Sequence, residues 1–149
     1  MTTLATTHEV EVTRQLSATR EQVFKAWTDP AALKKWFYPA PGMTVPTVEV
    51  DARVGGAYRF IIQNPEGEQY IGGGIYEEVT PPSKLVFTWK WDNSPAEPNT
   101  TRVTVELFDS NGGTEIRLRH ELLSSDVSVE RHTHGWNGCL DSLAEYFPA

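Results

Sequence analysis

Residues 101–147 read TRVTVELFDSNGGTEIRLRHELLSSDVSVERHTHGWNGCLDSLAEYF, and within them the spacing of apolar side chains changes once. Up to Leu122 the apolar residues stand at every second position, as Val103, Val105 and Leu107 and then Ile116, Leu118 and Leu122. That is the period of strands with one buried face. Asn111-Gly112 between the two runs is the strongest short hairpin signal. Beyond Ser125 the period lengthens, with Val129, Trp136, Leu140, Leu143 and Phe147 at helical spacing. Ser125-Asp126 offers an N-cap, so the pattern predicts a helix running to about Tyr146. At 1.5 Å per residue it is roughly 30 Å long, enough to cross a whole sheet.

Upstream the text is strand after strand: Val45 to Val54, Ala57 to Gln63, Glu68 to Val79, Lys84 to Trp91 and Thr100 to Asp109, before the Thr114 to Leu122 strand. Gly55-Gly56, Asn64 to Gly67, Pro81-Pro82 and the Ser94 to Asn99 loop separate them, which predicts an antiparallel meander of hairpins. Before the meander, His8 to Leu16 alternates as a half-buried strand. Thr19 with Gln22 then predicts a capping box, and Asp29-Pro30 a second helix start, with Trp27, Leu33, Trp36 and Phe37 as apolar stripes. The sum is an α+β fold: about six to seven antiparallel strands, two short helices after strand one, and a long last helix.

The charge balance excludes some partners. The chain has 149 residues, 13 Lys+Arg against 20 Asp+Glu, and a net charge of −7. Nucleic acid is not an expected partner, because phosphate affinity comes from clustered cations. No apolar run reaches the ~18 residues needed to span a bilayer, and Met1 to Thr7 resembles no signal peptide, so a cytoplasmic protein without membrane contact is expected. By the same reasoning the Asn99-Thr100-Thr101 sequon is read as part of a turn. One cysteine, Cys139, excludes an internal disulfide and is read as a small buried apolar residue. A single domain over residues 8–149 is expected, preceded by a flexible N-terminus, 1–7.

The order of elements, together with Trp27-Thr28-Asp29-Pro30, Val50 to Gly56, Val79-Thr80-Pro81-Pro82 with Leu85 to Trp89, and Gly135-Trp136, resembles the START-like (helix-grip) superfamily. Within it, the chain is similar to the family named after the activator of heat-shock-protein-90 ATPase. The resemblance implies a curved sheet gripping the last helix, with a cavity between them. It also implies a choice of roles, since relatives include co-chaperone domains and binders of hydrophobic small molecules.

Strand and helix periods place the cavity wall independently. Tyr58 and Phe60 share a face, as do Phe87, Trp89 and Trp91, then Val103 and Val105, then Leu118 and His120. His132, Trp136 and Leu140 answer them from the helix, and Trp36, Phe37 and Met43 are expected as a flexible cover at the mouth. Aromatic walls suit a flat ligand, and a neutral imidazole can donate one hydrogen bond and accept another, which makes His120 and His132 candidate polar handles. His132 and His134 differ by roughly 200° around a helix and cannot share one metal ion, and no other ligand spacing is present, so no metal and no cofactor is expected. Gly72-Gly73-Gly74 lacks the lysine of a phosphate loop and is read, like Gly135, as room for the crossing helix. The reading that follows is a non-enzymatic protein binding a hydrophobic, ring-containing or polyketide-like small molecule. The alternatives are a co-chaperone-like domain with a protein partner, and a cyclase or hydrolase using a cavity histidine as general base.

Overall fold

The computed structural model describes residues 8–92 and 97–148. The expected flexible N-terminus, 1–7, and residues 94–96 of the expected 94–99 loop lie outside the described residues. Among those described, the chain runs β1 (Val10–Leu16), α1 (Arg20–Thr28), α2 (Pro30–Trp36), β2 (Thr44–Val50), β3 (Ala57–Gln63), β4 (Gln69–Thr80), β5 (Lys84–Trp91), β6 (Thr101–Ser110), β7 (Gly113–Glu121) and α3 (Asp126–Tyr146). The strands form one antiparallel sheet in the order β1-β7-β6-β5-β4-β3-β2. It curls as a half-barrel around α3, so the molecule has the helix-grip α+β fold. No described helix is long and apolar enough to cross a membrane.

Local chemistry starts and stops these elements where the sequence signals it. The Thr19 hydroxyl accepts the Gln22 amide at 3.1 Å while the Gln22 side chain accepts the Thr19 amide at 2.9 Å, closing the capping box. Asp29 ends α1 and begins α2, its carboxylate accepting the Ala31 N–H at 3.0 Å ahead of Pro30. Between β6 and β7 both Asn111 and Gly112 have positive φ, 50° and 79°, the backbone that a two-residue hairpin of matching twist requires. β2 stops at Val50, four residues before its expected end, because the Arg53 and Gly56 amides fold back onto the Asp51 and Arg53 carbonyls.

One aromatic layer lies between sheet and helix. Trp136 of α3 sits 5.1 Å from Trp89 and 6.2 Å from both Trp27 and Phe37, ring centroid to centroid, and all four are buried. Near the sheet edge a polar clamp supports it, with Arg14 of β1 donating to Asp141 at 3.1 Å and to Asn137 at 2.7 Å on α3.

Three expectations change. Leu122 is 56% exposed, because β7 ends at Glu121 and a φ of 69° at Leu122 breaks the alternation, so that Leu123 turns inward instead. The glycines of β4 make room for the sheet rather than the helix: a Cβ at Gly72 would meet the Phe60 ring at 2.8 Å, and at Gly74 the Thr88 carbonyl at 2.0 Å. The close approach on α3 falls at Gly138, where a Cβ would lie 1.8 Å from the Pro39 carbonyl oxygen, while at Gly135 it would meet nothing within 4 Å.

Those two positions on one helix should respond oppositely to the same change. Gly135→Ala is expected to stabilise the fold by up to about 1 kcal/mol through helix propensity. Gly138→Ala is expected to cost about 1–3 kcal/mol, since backbone must move to admit the methyl group. Urea unfolding of both variants checks the pair; a stabilising Gly138→Ala would mean that α3 does not press on the Pro39 loop.

Candidate functional site

A pocket of about 590 Å³ opens between α3 and the strands β3, β4 and β5. Ile62, Trp89 and Trp91 come from the sheet, and Phe37 and Met43 from the chain after α2. His132, Gly135, Trp136 and Cys139 project from α3 at i, i+3, i+4 and i+7, which is one helical face. Depth and polarity run together. Phe37, Ile62, Trp89, Trp136 and Cys139 are buried, Pro39 is half-buried, and Gln69, Tyr70, Arg131 and His134, which complete the lining with it, are exposed. The volume falls within the 300–1,000 Å³ typical of small-molecule sites.

Of the residues expected at the site, Phe37, Met43, Trp89, Trp91, His132 and Trp136 line this pocket. Trp36, Tyr58, Phe60, Phe87, Val103, Val105, Leu118, His120 and Leu140 pack behind that wall. Period-2 alternation finds the inward face of the sheet but not which stretch of that face is left uncovered; here α1 and α2 cover the rest. A flexible cover of Trp36 and Phe37 is not what the structure shows. Trp36 is fully buried with its indole N–H bonded to the Ala26 carbonyl at 2.9 Å, and Phe37 is 5% exposed.

The two histidines meet, their ring centroids 4.8 Å apart and nearly perpendicular. Each is already saturated. The Trp136 indole N–H donates to His120 Nδ1 at 2.9 Å, so Nε2 carries the proton and donates to Thr101 Oγ1 at 2.6 Å, and that hydroxyl donates to the Trp89 carbonyl at 3.0 Å. The Trp91 indole N–H donates to His132 Nε2 at 3.0 Å, and His132 Nδ1–H donates to the Ser128 carbonyl at 2.8 Å. The two imidazoles are thus fixed in opposite tautomers, each by an indole. Burial pushes the His120 pKa well below 6.5, and the neighbouring His132 adds to the shift. Burial lowers the His132 pKa as well, against the opposing pull of its Ser128 bond and of the Glu97 carboxylate. Neither ring has a free lone pair for a metal ion, a ligand or a substrate proton. Burial also pushes the Cys139 thiol pKa up, which keeps it neutral.

Sequence reasoning missed several parts of this site. Glu97 is fully buried and seats the start of α3: its carboxylate accepts the Ser128 hydroxyl at 2.7 Å, the Ser124 amide at 2.8 Å and the Asn99 amide at 3.2 Å. Burial alone would raise its pKa, and these bonds outweigh it, so the carboxyl is held below its ordinary value. Nothing in a Pro- and Asn-containing loop distinguishes that glutamate. The rim residues Gln69, Tyr70, Arg131 and His134 were equally illegible, since polar side chains beside a strand or helix read as solvated surface. Among the described residues the indole N–H groups of Trp27 and Trp89 find no acceptor, and Trp89 is part of the pocket wall.

Comparison with known proteins agrees with this architecture. Protein CV1439 from Chromobacterium violaceum superposes with a TM-score of 0.86 at 30% identity, over 95% of this chain and 99% of that one. The AHSA1 protein SPO3351 from Silicibacter pomeroyi superposes with a TM-score of 0.81 at 27% identity, over 93% and 96%. Protein NE0264 from Nitrosomonas europaea gives a TM-score of 0.76 at 25% identity, over 92% of each chain. A search of the curated proteins finds no match. The family described as Activator of Hsp90 ATPase homolog 1-like protein matches residues 17–148, nearly the whole of the described fold, and the chain belongs to that family.

Proposed function

We propose that this protein binds a hydrophobic, ring-containing small molecule in the pocket between sheet and α3 and carries out no reaction on it. The observation that carries the reading is that the aromatic layer does not close: Trp89, Trp91, Trp136 and Phe37 wall about 590 Å³ that their own side chains leave unfilled. A co-chaperone-like domain acting only through its outer surface has no need of such a space. Burying apolar ligand surface against these walls stabilises a complex by roughly 25 cal/mol per Å², and the flat rings favour a flat guest. A cytoplasmic setting belongs to the same proposal.

The cyclase or hydrolase alternative needs a histidine able to accept a proton. His120 and His132 each spend their acceptor nitrogen on an indole N–H, and protonating either would cost that bond in a buried, aromatic setting. They hold the walls in place. A phenylalanine at position 120, although similar in size, would leave the Trp136 indole without an acceptor and the Thr101 hydroxyl without a donor.

Two measurements test these statements. Biphenyl-4-carboxamide, a neutral flat probe, is expected to quench tryptophan fluorescence on titration. Gly135→Phe, which enters the pocket from a position where a Cβ meets nothing within 4 Å, is expected to weaken it by about tenfold or more with the unfolding temperature maintained. Equal binding to both proteins would remove the pocket reading.

The second concerns pH. Because both folded-state pKa values lie below 6.5, the unfolded chain takes up protons that the folded chain refuses. Stability is therefore complete above about pH 6.5 and is lost as pH falls toward the depressed values, by up to about 1.4 kcal/mol per pH unit for each histidine. Urea unfolding from about pH 7.5 to about pH 5.5 reads this slope, and His120→Gln should roughly halve it. A flat profile would mean that the imidazoles are not held neutral.

A further inference from the structure

We propose that the ligand of this pocket is an organic anion, an aromatic body bearing a carboxylate, and that Arg131 at the rim is the group that selects it. This rests on the pocket reading above and adds the chemical class of the guest. Among the described residues the pocket wall contains no aspartate or glutamate, and its single formal charge is the Arg131 guanidinium, in a chain whose net charge is −7.

Arg131 differs from the other arginines. Among the described residues each of the others stands within salt-bridge distance of a carboxylate, whereas Arg131 has neither an ion pair nor a hydrogen bond to the protein. Together with His134 it stands on the crest between the pocket and a shallow groove on the outer face of α3, and Glu130, its neighbour in the chain, lines that outer groove and not the pocket. Five N–H donors in a planar fork match a carboxylate in two parallel bonds. With the two inner histidines saturated, the rim is where a charged group on the guest is met by an unengaged partner, while its rings lie against Trp89, Trp91 and Trp136.

The overall negative charge opposes any anion, so a preference for one requires a local cation. At an exposed rim the contribution is modest and sensitive to salt, because solvent and counter-ions screen it.

The test is a matched pair, biphenyl-4-carboxylate and biphenyl-4-carboxamide, titrated by tryptophan fluorescence into the wild-type chain and into Arg131→Ala. The wild type is expected to bind the carboxylate about 3- to 10-fold more tightly than the amide. Arg131→Ala should abolish that preference by weakening the carboxylate more than the amide, and added sodium chloride should weaken the carboxylate alone. Since Arg131 is exposed on a helix and alanine is the better helix former, the variant should fold as the wild type does, which its unfolding temperature checks. A preference that survives in Arg131→Ala overturns the assignment, as does equal binding of the two probes to the wild type. Amide binding that Gly135→Phe blocks, without any preference for the carboxylate, removes the anion inference and leaves the pocket standing. Failure of both probes to bind the wild type removes both.

Discussion

Two hydrogen bonds, one buried and one part-buried at the pocket wall, set how α3 lies on the sheet. Trp136 of α3 donates to His120 of β7, and Trp91 of β5 donates to His132 of α3, so helix and sheet each supply one indole and one imidazole. The arrangement is reciprocal, and it fixes rotation as well as distance. Turning α3 by one residue, about 100°, would break both bonds at once and leave four polar groups unpaired in a layer of aromatic rings. Each orphaned group would cost about 1–3 kcal/mol, a large share of the stability of a domain this size. Non-directional aromatic packing would tolerate several rotations of the helix; these two bonds select one.

The pocket follows from that selection. With Trp136 turned toward β7 and His132 toward β5, Gly135 comes to the pocket side next to His132, and Cys139 follows one turn further on. A glycine in mid-helix costs about 1 kcal/mol against alanine, and here no neighbouring atom requires it. Gly138 is different, because the Pro39 carbonyl fills the space a methyl group would need. One glycine admits the neighbouring loop, and the other leaves the pocket open. Glu97 secures the same geometry from outside: it bonds the Ser128 hydroxyl, the Ser128 carbonyl accepts from His132, and His132 accepts from Trp91. A chain of hydrogen bonds thus runs from the loop before β6 to the pocket wall.

The fold was legible in the sequence because its signals are local. A capping box, an Asp-Pro helix start, an Asn-Gly turn and a single change of period each depend on residues within a few positions, and the structure has all of them. Inward faces were legible for the same reason as far as the strands stay regular, and the error at Leu122 falls where the backbone turns to positive φ. The site was legible only in part. Which aromatics touch open space depends on what α1 and α2 cover, which is a fact of assembly. The role of the histidines depends on two indoles 41 and 16 residues away in the chain.

Under the binding proposed above, the saturation of those histidines decides where a guest would be recognised. A pocket with free polar groups in its depths discriminates between guests by hydrogen bonding, since an unmatched donor or acceptor is expensive there. Here the deep imidazoles are closed to the guest, and the Trp89 indole N–H, a pocket-wall donor without a protein partner among the described residues, lies out of solvent reach. The interior can therefore distinguish guests by shape and apolar contact, at the 1–3 kcal/mol that a missing or extra methylene is worth. Polar discrimination is left to the rim, where Gln69, Tyr70, Arg131 and His134 face water. Rim groups can be replaced without disturbing the indole–imidazole pairs, whereas any change in the depths alters the seating of α3.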